Sequence, residues 1–281
     1  MSITRISIDS EGNQSNNTSY NPSISTDGNY VAFGSDATNI VAEDTNESRD
    51  IFVRDIDTRA TTRISVSNQG LEADDDSENP SISGDGNYIA FTSDATNLVT
   101  DDTNSDSDIF IHNRETGETT RVSVDSLGNE ANDDSENPSI SVDEENNVYV
   151  VFASDASNLV ADDRNNRKDI FLRNVTTGET TRLSVDSSEN QANRDSENPS
   201  ISTDGNYVVF ASEASNLVEN DTNNSKDIFL RNLTTGETTR ISLDSDGNEA
   251  NGDSENPSIS ADGNYIAFAS DASNLVEGDE N

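Results

Sequence analysis

Short apolar runs alternate with longer polar, acidic stretches along the whole chain. In one representative stretch the runs are Pro80-Ser81-Ile82-Ser83, Tyr88-Ile89-Ala90-Phe91, Asp108-Ile109-Phe110-Ile111 and Thr120-Arg121-Val122-Ser123-Val124. They are rich in Ile, Val, Phe, Tyr and Thr and too short for helices, so they predict strands. Asp85-Gly86-Asn87 separates the first two and Thr116-Gly117-Glu118 the last two, both hairpin-turn signals. The pattern predicts four antiparallel strands, a to d.

The same pattern recurs. Asn-Pro-Ser-Ile-Ser places its proline at Pro22, Pro80, Pro138, Pro199 and Pro257, which are all five prolines of the chain. Thr-Arg-(Ile/Val/Leu)-Ser places its arginine at Arg5, Arg63, Arg121, Arg182 and Arg240. Both series step by 58, 58, 61 and 58 residues. The longer step falls where Asp143-Glu144-Glu145-Asn146-Asn147-Val148 replaces a short Asp-Gly-Asn turn, an insertion a hairpin tolerates. A four-stranded sheet cannot bury both its faces alone, whereas sheets stacked around an axis can.

The repeat Asn-Pro-Ser-Ile-Ser-x-Asp-Gly-Asn-Tyr-(Val/Ile)-(Ala/Val)-Phe-x-Ser, followed by Asp-Ile-Phe-x-Arg and Thr-Thr-Arg-Ile-Ser, resembles the TolB-type β-propeller repeat, a WD-repeat-like family. The resemblance covers essentially the whole chain. It departs at Thr26, Gly84, Val142, Thr203 and Ala261, where the family often has proline, and in the long acidic b–c connection. That variant resembles repeats of large secreted or surface-attached bacterial proteins with calcium-rich sequences. The resemblance implies the fold well and an activity poorly. The expected fold is an all-β, five-bladed propeller of four-stranded antiparallel blades in a single domain, 1–281. Strand d starts at 4, 62, 120, 181 and 239, and the last copy stops before strand c. The N-terminal strand d, Thr4 to Ile8, is expected to close the last blade. For the missing strand c three readings stay open: the chain is part of a longer array, its tail supplies the strand, or a neighbouring molecule does so by strand exchange.

Composition narrows the function. Lys plus Arg number 16 against 56 Asp plus Glu, for a net charge of −40. That charge argues against nucleic-acid or anionic-membrane binding. No apolar run approaches the ~18 residues of a membrane-spanning helix. With no cysteine, disulfides, thiolate metal sites and thiol catalysis are excluded. Met1 is followed by no signal-peptide pattern, and Ser2-Ile3-Thr4-Arg5 reads as folded chain.

The strongest candidate chemistry is in the b–c loops. Oxygen side chains recur there at i, i+2 and i+6: Asp44, Asn46 and Asp50; Asp102, Asn104 and Asp108; Asp163, Asn165 and Asp169; Asp221, Asn223 and Asp227. The fifth copy reaches Asp279-Glu280-Asn281. Alternate-position oxygens resemble the start of a calcium loop, although the Gly and Glu of a full EF-hand are absent. Upstream acids Asp36, Asp94, Asp155, Glu213 and Asp271 could complete a shell. The competing reading is that these residues only form turns. In the d–a loops, Glu78, Glu136, Glu197 and Glu255 predict an acidic ring needing a cation or water. The strand-d arginines are expected to pair with neighbouring acids for structural reasons. His112, which replaces the strand-c arginine of Arg54, Arg173 and Arg231, is expected to be a substituted surface position.

The expected function is a non-catalytic, calcium-stabilised extracellular scaffold or binding module of a larger bacterial surface or secreted protein, with a protein or glycan at one face. Salt adaptation of a halophilic kind is an alternative use of the acids. A lectin-like glycan binder is a second reading, weakened by the absence of Trp and by Tyr30, Tyr88, Tyr149, Tyr207 and Tyr265 sharing one strand position. A glycoside hydrolase is a third, and a consensus-like synthetic origin a fourth.

Overall fold

A computed structural model describes residues 3–279. Its described residues contain strands and turns and no helix. The chain divides into two compact units, residues 1–123 with 134–140, and residues 124–133 with 141–281. The sequence predicts a single domain, and this division runs through the third repeat. That is understandable in a repeat protein, where each blade touches only its neighbours.

Each of the first four repeats folds as one antiparallel sheet in sequential order. Blade 1 is β1 (Ser19–Ile24), β2 (Tyr30–Ser35), β3 (Asp50–Asp55) and β4 (Thr61–Arg63). Blade 2 is β5 (Ser77–Ile82), β6 (Tyr88–Ser93), β7 (Asp108–Asn113) and β8 (Glu118–Arg121). Blade 3 is β9 (Ser135–Val142), β10 (Val148–Ser154), β11 (Asp169–Asn174) and β12 (Glu179–Arg182). Blade 4 is β13 (Ser196–Ile201), β14 (Tyr207–Ser212), β15 (Asp227–Asn232) and β16 (Glu237–Arg240). Blade 5 has two strands, β17 (Ser254–Ile259) and β18 (Ile266–Ser270). Of Thr4 to Ile8, expected as strand d, residues 4–7 lie in no ladder and Ile8 bridges Gln14. Strand d pairs with strand c in every complete blade, for example Phe52 opposite Arg63. Among the described residues no ladder joins this segment to another strand. Glu280 and Asn281, which end the fifth loop motif, lie outside the described residues.

The core follows the strand alternation. Strands b and c carry it, with Phe33 stacked on Phe52, Phe91 on Phe110, Phe152 on Phe171 and Phe210 on Phe229 at 5.8–6.0 Å between centroids. Phe268, whose strand-c partner is missing, stays half-buried. The insertion at 143–148 lengthens the β9–β10 hairpin and is closed by the Asp143 N–H donating to the Asn147 carbonyl at 3.1 Å.

The Asn-Pro of each strand a makes a bulge, with the register shifting between Tyr20 and Ser23 and at the equivalent places of blades 2, 4 and 5. The asparagine there takes a left-handed conformation, φ 44–54° at Asn21, Asn79, Asn137, Asn198 and Asn256. Asparagine tolerates this region better than other non-glycine residues. The conformation also lets neighbouring blades exchange side-chain amide bonds, Asn21 to Asn79 at 2.5 Å and Asn79 to Asn137 at 3.2 Å.

The Asp-Gly-Asn turns lock the blades together. Gly86 sits at φ +74° against the ring of Tyr30, and a Cβ there would lie 2.3 Å from the ring. Gly28 has the same φ, yet a Cβ there would meet nothing within 4 Å. Gly28→Ala therefore isolates the backbone cost, about 1–2 kcal/mol. Gly86→Ala is expected to cost about 1–3 kcal/mol more from overpacking. Urea unfolding of the two variants checks this, and equal losses would contradict the packing account.

Candidate functional site: an arginine in each acidic loop

The acidic b–c loops and the strand-d arginines, two separate signals in the sequence, meet at one place in each complete blade. In blade 1 the Nη1 of Arg63 lies 3.0 Å from Asp50 Oδ2, 3.6 Å from Asp44 Oδ1 and 2.7 Å from Glu72 Oε2. Its Nη2 donates to the Glu43 carbonyl at 3.1 Å. Arg121 stands likewise 3.0 Å from Asp108 and 3.6 Å from Asp102. Arg182 is 3.1 Å from Asp163 and 3.4 Å from Asp169. Arg240 is 3.3 Å from both Asp221 and Asp227 and 3.0 Å from Glu249. The side chains of Asp44 and Asp50 are only 2% and 1% exposed, so these ion pairs are shielded from water.

The c–d hairpin produces this arrangement. Asp50 opens β3, and pairing of Phe52 with Arg63 brings Arg63 and Ser65 back over it. Ser65 Oγ donates to Asp50 Oδ1 at 2.5 Å, and Ser123, Ser184 and Ser242 do the same for Asp108, Asp169 and Asp227. Asn46 caps its own loop. Its amide donates to the Ala73 carbonyl at 2.8 Å, and its oxygen accepts from the Ser48 N–H at 3.1 Å. Asn165 and Asn223 donate to Asp169 and Asp227 at 2.9 Å.

The predicted triads are thus brought together, but around a guanidinium. Calcium needs six to eight oxygens in a shell. Asp50 already gives one oxygen to Ser65 and the other to Arg63, and Asn46 uses its oxygen on the backbone. In the first loop only Asp44 Oδ1 is buried without a hydrogen bond. As arranged, the donor set does not fit a calcium loop; the arginine supplies the local positive charge. The upstream acids do not complete a shell either. Asp36 binds Arg49 at 2.9 Å, Asp155 binds Lys168 at 3.4 Å, and Asp94 accepts from Ser107 Oγ. Two of the d–a acids have tethered cations, Arg49 for Glu78 at 2.7 Å and Lys226 for Glu197. Arg49, Lys168 and Lys226 occupy one repeat position, a pattern hidden by the change of residue type.

One further expectation is corrected. His112 is buried, at 6% exposure. Its Nδ1 lies 2.9 Å from Thr119 Oγ1, just as Arg54 and Arg231 Nη1 donate to Thr61 and Thr238 at 2.8 and 3.1 Å. The Thr119 hydroxyl donates onward to the Val66 carbonyl at 2.6 Å, which assigns the proton to His112 Nδ1. Of the tyrosines at the shared strand position, Tyr30, Tyr149 and Tyr207 pack against the turn glycines Gly86, Gly205 and Gly263, whereas Tyr265 is exposed. A cavity of about 290 Å3 beside β12 and β15 is lined by Tyr149, Leu172 and Leu233 together with the polar Asn174, Glu179 and Thr181, and by Arg231 paired with Glu189.

No family model matches the sequence, and no curated protein matches it. Among solved structures, the chain is similar to TolB from Acinetobacter baumannii, with a TM-score of 0.53 and 17% identity over 89% of this chain and 48% of that one. It is similar to a putative TolB from Agrobacterium tumefaciens, TM-score 0.54, 15% identity, over 92% and 71%. It also resembles an oligogalacturonate lyase from Vibrio parahaemolyticus, TM-score 0.50, 13% identity, over 90% and 58%. The chain spans about half the length of the first of these. At such identities the likeness is one of fold: an all-β, TolB-type propeller of antiparallel four-stranded blades.

The buried acids give stability an unusual pH dependence. Burial, with Asp50 nearby, pushes Asp44 up to about 6. Burial likewise pushes Asp108 and Asp169 up to about 6, and raises Asp50 and Asp221. The folded state therefore holds more protons than the unfolded chain between about pH 4 and 6, and the stability from these groups is lost as pH rises through about 6. His112 acts oppositely, since burial and then Arg114 lower it to about 4. Turn acids such as Asp9 and Asp244, held low by side-chain bonds from Asn13 and Asn248, keep their stabilisation until pH falls below about 4. The melting temperature is expected to be a few degrees higher near pH 5 than at pH 7 and to fall again below about pH 4. Calorimetric scans test this, and a monotonic loss from pH 7 to 4 would contradict it.

Proposed function

We propose that this chain is a non-catalytic scaffold: a run of propeller blades that presents its faces to a protein or glycan partner outside a bacterial cell. The observation that carries this reading is that the acids the fold gathers together are used to hold the blades. Asp50, Asp108, Asp169 and Asp227 are buried and each is bound to a strand-d arginine and a serine, beyond the reach of a substrate. A glycosidase needs two carboxylates flanking an accessible bond, and these pairs are neither accessible nor singular. The repetition of one arrangement in four blades also lacks the asymmetry that separates an acid from a base.

Calcium enters this reading as one of the cations that screen the exposed acids, rather than as a ligand locked in the b–c loops. A net charge of −40 repels itself, and dissolved cations relieve that. Melting temperature is expected to rise by about 5 °C or more from low salt with chelator to molar sodium chloride. Calcium chloride at matched ionic strength is expected to give a similar rise. A calcium-specific rise that sodium does not reproduce would restore the loop-ligand assignment. A broad chromogenic-glycoside screen is expected to show no turnover, and turnover abolished by one substitution would overturn the scaffold reading.

A further inference from the structure

One packing position is filled differently in two parts of the chain. In blade 1 the ring of Tyr30 carries a built-in cation. The guanidinium carbon of Arg114 lies 3.9 Å from the ring centroid, and Arg114 Nη1 donates to the Gly86 carbonyl at 2.7 Å. A cation in that place is attracted by the ring's quadrupole. In the repeat 119 residues further on, Tyr149 takes the place of Tyr30, Gly205 that of Gly86 and Leu233 that of Arg114. Gly205 approaches the Tyr149 ring as Gly86 approaches Tyr30. Among the described residues no guanidinium stacks on Tyr149. Instead the cavity of about 290 Å3 opens there, with Tyr149, Leu172 and Leu233 in its wall.

The charges differ in the sense that an empty cation position requires. Glu179 lines the cavity, and the residue at the same repeat position in blade 1 is Ala60. Arg182 and Arg231 also line it, but Asp163, Asp169 and Glu189 meet their charges. Glu179 pairs with no cation among the described residues. The acidic insertion of the β9–β10 turn adds to this. The Tyr149 hydroxyl donates to Asp143 Oδ2 at 3.3 Å, and burial, then Asp143 and Glu145, raise its pKa. We propose that this cavity is a receptor for a guanidinium group, and that the group it takes is an arginine side chain of a partner protein, stacked on Tyr149 with its charge toward Glu179. Arg114 on Tyr30 is the built-in counterpart of that ligand. A planar guanidinium suits an aromatic face better than an ammonium does, and a net charge of −40 draws basic partners. The assignment rests on the scaffold reading and deepens it by naming what a partner inserts.

An NMR titration of the full, isotope-labelled chain with N-acetylarginine amide, at about 0.15 M sodium chloride, tests this. Saturable shifts of the Leu172 and Leu233 resonances are expected. N-acetylcitrulline amide, an uncharged analogue of similar shape, is expected to give none. Glu179→Gln, at an exposed position, is expected to weaken binding about tenfold or more with the melting temperature unchanged. Leu233→Arg is expected to abolish binding, because its own guanidinium fills the cavity as Arg114 covers Tyr30. Asp246→Asn, which removes an exposed acid outside the cavity, is expected to leave the affinity unchanged. Free arginine is expected to bind no more tightly than the capped form; tighter binding would assign the cavity to a small molecule and overturn the partner reading. Absence of saturable shifts overturns the proposal. So do shifts that persist in both cavity variants, or that the citrulline compound reproduces. Each of these results leaves the scaffold reading standing, whereas glycoside turnover would end that reading without touching this site.

Discussion

The structure depends on one buried interaction made once per complete blade: the guanidinium of a strand-d arginine set against the aspartates of strand c and the b–c loop. In blade 1, Arg63 ties together the end of β4, the start of β3, the loop acid Asp44 and the next connector through Glu72. Removing one partner of such a cluster leaves an uncompensated buried charge, which is why pairs of this kind are strongly destabilising when broken. Arginine suits the position better than lysine, since its planar fork reaches several acceptors at once. The arrangement leaves blade 1 with three carboxylates for one guanidinium, and burial raises the proton affinity of Asp44 and Asp50, for Asp44 with Asp50 adding to it.

A chain with this charge folds because its acids are sorted by environment. Asp9, Asp125, Asp186 and Asp244 close connectors by accepting the backbone N–H four residues on, at 2.7–2.9 Å. Asp27, Asp85, Asp204 and Asp262 close the a–b turns in the same manner, accepting the N–H two residues on at 3.0–3.1 Å. Side-chain and backbone donors hold Asp9, Asp27, Asp244 and Asp262 below the usual carboxylate range. Burial instead raises Asp44, Asp50, Asp108, Asp169 and Asp221, and acids standing in solvent are screened by salt. Both turn formation and charge burial operate, at different repeat positions.

Most of the architecture is legible in the sequence because it is repeated. Five prolines and five arginines set the period, the Asp-Gly-Asn turns mark the a–b hairpin, and the three-residue insertion stays in a turn. What escaped reading is what depends on contacts across the sheet. Arg63 and Asp50 are 13 residues apart, and only the register of the c–d hairpin, Phe52 opposite Arg63, makes them neighbours. The regular spacing of loop oxygens suggests a metal until that register supplies an arginine. His112 reads as a surface change because a histidine in an arginine column looks expendable; its ring instead keeps the arginine's bond to the threonine hydroxyl. The N-terminal copy of strand d has the right residues, but a strand forms only with a partner, and among the described residues no ladder joins it.

A double-mutant cycle on Arg63 and Asp50 tests the central interaction most directly. Urea unfolding would be measured for wild type, Arg63→Met, Asp50→Asn and the pair. The account predicts a loss of about 3–5 kcal/mol for Arg63→Met, much of it recovered when Asp50→Asn removes the stranded charge, with a coupling energy above about 1.5 kcal/mol. Additive losses, or an Arg63→Met variant as stable as wild type, would contradict the claim that the tethered arginine holds each acidic loop in place.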